Sequence, residues 1–264
     1  MFDSPAPMPG VYGTTVTLIT GLAWPLVAGA IVVVFRSELR SILCTLTQRL
    51  SSAQTFKVGP VEIGGIFEAA EQRTRAALSV APTPAPDIPH EQVETSEKLE
   101  EQLDTSGVSL NERLPAARAR LTKLAANYDR LRAEAPAGEY RTRRMNEIVG
   151  LMRTFALPGL PLLAQLAASA SPGERLAAVA ILQVRSFASY IPWLQARFLE
   201  ETQVFLLYNT ALVLRRLARM PDVKDHPELG VAIAFALERV RAFTGGTPDA
   251  NTVDVLEDAQ AFLS

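Results

Sequence analysis

Arginines are the residues in this chain best placed to do chemistry. The stretch "EYRTRRMNE" sets Arg141, Arg143 and Arg144 near an expected helix start, and Arg215, Arg216 and Arg219 form a second cluster. A guanidinium is a planar fork that grips phosphate and carboxylate. The two clusters are therefore a candidate patch for a phosphate ligand, an anionic lipid, or the acidic segment of the same or a neighbouring chain. Residues 109 to 155 carry ten Lys and Arg against five acids, which concentrates basic charge there. The competing reading is a solvated helix face laced with salt bridges. No aromatics are interleaved for base stacking, and the net charge of −2 argues against nucleic acid as a partner.

No other grouping has the spacing of a reaction. Paired carboxylates, nucleophile–base sets, glycine-rich phosphate loops and metal-ligand spacings are missing from the sequence. "GTPDAN" lacks the second glycine and the lysine of a phosphate loop. The lone Cys44 excludes an intrachain disulfide, and His90 and His226 are too few for a histidine zinc centre. The expectation is a protein that is not an enzyme and carries no cofactor or metal.

What would position the arginines is a helical body held at a membrane. Ser4 to Phe35 contains no charged residue, and the apolar core Val11–Phe35 is long enough to cross about 30 Å of hydrocarbon. A secretory signal would have a basic start and a shorter core. The run is thus read as a transmembrane helix over 11–35, after a short extracytoplasmic tail at 1–10. Pro25 introduces a kink. Arg36, Arg40, Arg49 and Lys57 follow the span and none precedes it, forming a membrane collar that places the C-terminal side in the cytoplasm. The chain is expected at the inner membrane, single-pass, with its N-terminus outside.

Residues 36–78 are expected to hold a juxtamembrane amphipathic helix, a small turn and a short helix. Leu39, Ile42, Leu43, Leu46 and Leu50 recur at helical spacing. They serve either a helix lying on the membrane or a self-assembly seam between protomers. "TFKVGPVEIGG" reads as a tiny hairpin or extended crossover around Gly59-Pro60, followed by a helix over 66–78. Residues 79–108 carry four prolines and seven acids against one lysine, the composition of a disordered acidic linker, within which Glu91 to Leu103 has the makings of a transient helix.

Residues 109–264 read as a helical bundle, so the fold class is all-α. Leu114, Ala117, Leu121, Leu124, Tyr128 and Leu131 form one seam, and Met145, Ile148, Met152 and Phe155 a second, joined by "EAPAGE" as an antiparallel pair. Ser171, Pro172 and Glu174 have capping-box spacing with proline at the first helical position. Asp225 and Glu228 repeat that spacing, and a last helix begins at Thr247-Pro248.

The segment "GERLAAVAIL…YIPWLQARFLEE…VFLLYNTALVLRRL", within about residues 171–220, resembles HEAT-type helical repeats. It carries Arg175 with alanines on one helix, a Trp-Leu helix, and a second apolar helix. The module resembles those joined to membrane or effector segments in bacterial signalling and conflict proteins. That resemblance implies binding or assembly. Two functions are open: a membrane-anchored scaffold that recruits or senses an unknown protein partner, or an oligomerising effector that perturbs the bilayer. The partners implied are the lipid bilayer, that protein, and a second copy of the chain.

Overall fold

The structure is a computed structural model that describes residues 60–80, 87–242 and 249–263, all within the unit spanning residues 57–264. The expected anchor, the collar of Arg36, Arg40, Arg49 and Lys57, the seam of Leu39, Ile42, Leu43, Leu46 and Leu50, and Cys44 lie outside the described residues. Among the described residues the fold is all-α: ten α-helices, two 3-10 turns and no strand. No helix among them is long and apolar enough to cross a membrane.

The helices are α1 (Pro60–Val80), α2 (His90–Thr105), α3 (Leu110–Glu134), α4 (Glu139–Thr154), α5 (Leu163–Ala167), α6 (Pro172–Val184), α7 (Ile191–Glu200), α8 (Val204–Ala218), α9 (Pro227–Arg241) and α10 (Ala250–Ala261). α6 is the hub. It touches α3, α4, α5 and α8. Everything from Leu176 to Val184 is buried, because its residues are apolar on all sides except for Gln183. α8 then pairs with α10, α10 with α9, and α9 with α7, while α1 and α2 cover α4 from the N-terminal side.

Two expectations about the N-terminal side are corrected. Residues 60–65 are the first turns of α1, not a hairpin or crossover. Proline as the first helical residue loses nothing, since that N–H has no helical partner. Ile63, Phe67, Ala70 and Thr74 then fall on one buried stripe. Phe67 stacks on Phe155 at 5.8 Å, and Arg120 sits 4.8 Å over its ring. Residues 90–105 form the packed helix α2, not a transient helix within a disordered tether. Its narrow stripe of Ser96, Leu99 and Leu103 is fully buried. Gly107, at φ +68°, ends α2 in a left-handed turn that a side chain would strain. The Val108 N–H returns to Leu103 O and the Gly107 N–H to Asp104 O, which satisfies two terminal carbonyls.

The two seams behave as the periodicity predicts. Ala117, Leu121, Leu124 and Tyr128 of α3, and Met145, Ile148, Met152 and Phe155 in and just after α4, are buried. Where α3 crosses α6 the backbones almost touch: a Cβ on Gly173 would lie 2.2 Å from Ala125 O. Asp129 caps this crossing, accepting from Ser171 Oγ at 2.6 Å and from the Gly173 N–H at 2.9 Å. Ser171 Oγ in turn accepts from the Glu174 N–H at 3.1 Å. At α9 the N-cap is His226, one residue later than the expected Asp225; its Nδ1 accepts from the Glu228 N–H.

Candidate functional site: a charged cleft between α4 and the α8–α10 pair

α4 and α8 both rest on α6, and α10 lies along α8. Between α4 and the α8–α10 pair is a cleft of about 640 Å³, within the range of ligand sites. One wall is basic and polar, with Arg132 from the end of α3 and Arg141 and Asn146 from α4. The other is acidic, with Asp249, Asn251, Asp254 and Asp258 from α10 and its cap. α8 supplies Val204, Phe205, Tyr208 and Arg215; Val204, Phe205 and the Tyr208 ring, with Met145 and Val255, give the cleft its apolar surface.

Five of these polar side chains make no hydrogen bond or ion pair among the described residues: Arg132, Asn146, Tyr208, Asn251 and Asp254. The Nε of Arg132 is shielded from solvent as well, with nothing to donate to. A buried polar atom without a partner is uncommon and costs stability; in this cleft the Arg132 Nε is such an atom, whereas the Asn146 and Tyr208 side chains are half-buried and Asn251 and Asp254 are exposed to water. The Tyr208 hydroxyl is held above its ordinary pKa, chiefly by burial, with Arg215 and Arg153 pulling the other way. It therefore stays a proton donor at neutral pH.

Below the cleft lies a polar knot that joins four helices. Arg153 of α4 is wholly buried and has only neutral amide partners. Its Nε donates to Gln183 Oε1 of α6 at 2.7 Å, and its Nη atoms to Gln92 Oε1 of α2 at 2.7 Å and Asn209 Oδ1 of α8 at 3.3 Å. Gln183 Nε2 closes the knot on Asn209 O and Oδ1, at 2.9 and 3.0 Å. Burial, with no carboxylate beside it, lowers the Arg153 pKa to about 10. Tyr208, next in sequence to Asn209, lies close enough to Arg153 for their ionised forms to interact, so the knot and the cleft are neighbours.

A second junction fastens the residues before α2 to α8 and α10. Asp87 pairs with Arg215 at 2.9 Å and Arg219 at 2.7 Å. Asp258 pairs with the same two arginines at 3.5 and 2.8 Å. Burial opposes ionisation of Asp87, but the Ile88 N–H, Arg219 and Arg215 outweigh it and hold the carboxyl below its ordinary range. Arg113 adds a third tie, to Glu100 at 2.9 Å and Asp104 at 2.8 Å.

The six arginines singled out in the sequence do not form one open patch. Arg215 is buried and, with Arg219, tied to Asp87 and Asp258; Arg216 donates to Val184 O at 3.2 Å. Arg144 pairs with Glu147, Arg141 lines the cleft and donates to Ala135 O at 3.0 Å, and Arg143 is exposed. Helix geometry explains why adjacent residues such as Arg143 and Arg144, or Arg215 and Arg216, point to different sides, while Arg215 and Arg219, four apart, share a face and meet the same two carboxylates. Arg132, Arg153, Tyr208 and Asp254 carry the site instead. A signal for the knot was present: Gln183 and Asn209 interrupt otherwise apolar helices, and Arg153 directly follows the buried Met152. No protein-family model, curated protein or solved structure matches this chain.

Proposed function

We propose that the chain is a single-pass inner-membrane protein whose all-α body, on the cytoplasmic side, recruits or senses a protein partner without catalysing a reaction. The observation that carries the binding role is the cleft itself, whose basic wall holds the buried, partnerless Nε of Arg132 and faces an acidic wall. The membrane role is supported by the uncharged run from Ser4 to Phe35 and the basic residues that follow it. In this reading α6 to α8 are HEAT-like helix pairs, supported by the packing of α6 and α7 on α8 and by the ion pair from Arg175 to Glu201.

The test is fractionation with crosslinking in native membranes. The full chain stays in carbonate-washed membranes, and deletion of residues 1–35 releases it to the soluble fraction. Crosslinkers placed at Asn146 or Asn251 capture one abundant cytoplasmic protein. Recovery of the full chain in the soluble fraction would refute the anchor, and capture only of further copies of the chain would refute recruitment.

A further inference from the structure

We infer that the cleft between α4 and α8–α10 binds a short extended peptide segment that carries an acidic and a basic side chain at an odd separation. This deepens the recruitment reading and rests on it.

Three features define the ligand. The first is length. The cleft follows α8 from Val204 to Arg215, eleven residue steps or about 16 Å at the helical rise. An extended chain covers that in about five residues. The second is charge. Arg132 and Arg141 occupy one wall, and Asp249 and Asp254 the other. The Nε of Arg132 is shielded from solvent with no acceptor, and Asp254 on the facing wall is exposed. Side chains of an extended peptide alternate between faces, so an acid and a base at adjacent positions reach opposite walls, whereas a pair two apart reaches the same wall. The third is a pair of amides, the half-buried Asn146 on one wall and the exposed Asn251 on the other. Each offers a donor and an acceptor, which matches the N–H and C=O of a peptide unit. Phe205, Val255 and the exposed Val204 provide apolar surface for the remaining side chains.

The experiment titrates the full-length chain in detergent with fluorescein-labelled, terminally blocked pentapeptides. FDKLL has its charges adjacent, FDLKL has the same composition with the charges two apart, and FNQLL is neutral. We expect saturable binding of FDKLL, with FDLKL and FNQLL at least about tenfold weaker, the scale of one charge-assisted hydrogen bond. Arg132→Gln and Asp254→Asn each weaken FDKLL about tenfold and leave the helical circular dichroism unchanged, since neither side chain holds a partner in the fold. Equal binding of all three peptides, no saturable binding of FDKLL at millimolar concentration, or indifference to both substitutions would overturn the proposal. Membrane retention is read separately by fractionation, so failure of the anchor and failure of the peptide site are told apart.

Discussion

Replacing Gly173 by alanine probes the crossing of α3 and α6. The added Cβ would lie 2.2 Å from Ala125 O and 2.8 Å from Ala125 C, where ordinary contact begins at 3.4 Å. The gap to recover is 1.2 Å, the difference between 3.4 and 2.2 Å. Both parties are backbone, so no side-chain rotation relieves the clash. Overpacking of this kind costs about 1–3 kcal/mol, and rigid partners put it near the top of that range. Helix propensity returns at most about 1 kcal/mol for glycine to alanine. The net loss is about 2 kcal/mol, or about 4–8 °C in the thermal midpoint of a domain this size. Thermal unfolding of the full chain, followed by far-UV circular dichroism, measures it. Gly65→Ala is the paired control. Gly65 is exposed on α1 with nothing within 4 Å of its added Cβ, and it should stabilise by about 0.5–1 kcal/mol. A neutral or stabilising Gly173→Ala would refute the backbone contact between α3 and α6.

Three further outcomes are expected. Tyr128→Phe removes the 2.7 Å hydrogen bond to Gln203 and a phenol whose pKa is raised above its ordinary 10.0 by burial. The raised pKa gives stability that is present below about pH 10 and lost above it. The wild-type advantage over Tyr128→Phe should therefore shrink as pH climbs past 10 in denaturant titrations, with the opposite contribution of Arg153 cancelling in the comparison. Arg153→Met strands the acceptors on Gln92, Gln183 and Asn209 and should destabilise by about 1–3 kcal/mol. Hydrogen exchange should quicken in α2 more than in α9; uniform quickening would contradict a tether through Gln92. Asp87→Asn weakens a half-exposed pair and should cost about 0.2–1 kcal/mol at neutral pH. Because the folded pKa of Asp87 is lowered, that difference is present above the ordinary carboxylate range and vanishes as pH falls through the folded value, which denaturant midpoints at two pH values will show.

The parts legible in the sequence were those set by local rules. The α3 and α4 seams, the Ser171–Pro172–Glu174 start of α6 and the apolar character of α6 and α8 follow from spacing alone. The docking of α2 was not legible, because composition shows its many acids and at most a transient helix. What docks it is two leucines, the buried Ser96 accepting from the Leu157 N–H at 3.1 Å, and the Gln92 bond to Arg153, 61 residues away. The site was missed for the same reason. Arg132, Asn146, Tyr208 and Asp254 belong to four separate stretches of sequence, and the packing of α4 and α8 on α6 brings them together. The clustered arginines drew notice through adjacency in sequence, which a helix sends to different sides, and the two that share a face, Arg215 and Arg219, are already taken up by Asp87 and Asp258.

The α3–α4 hairpin is pinned to α6 at two points, by Asp129 at the Gly173 crossing and by Arg153 at the knot with Gln183. Arg141 also closes the turn between α3 and α4 by holding Ala135 O. A wall held at both ends resists displacement, so in the peptide-site proposal the α4 side of the cleft is already in place before anything enters it. A visiting segment then meets a preformed receptor. The receptor gives up little freedom on binding, and the entropic penalty falls on the visitor alone. Its arrival rate is set by diffusion and orientation, with no opening step ahead of it, and differences among visitors appear in how long each one stays.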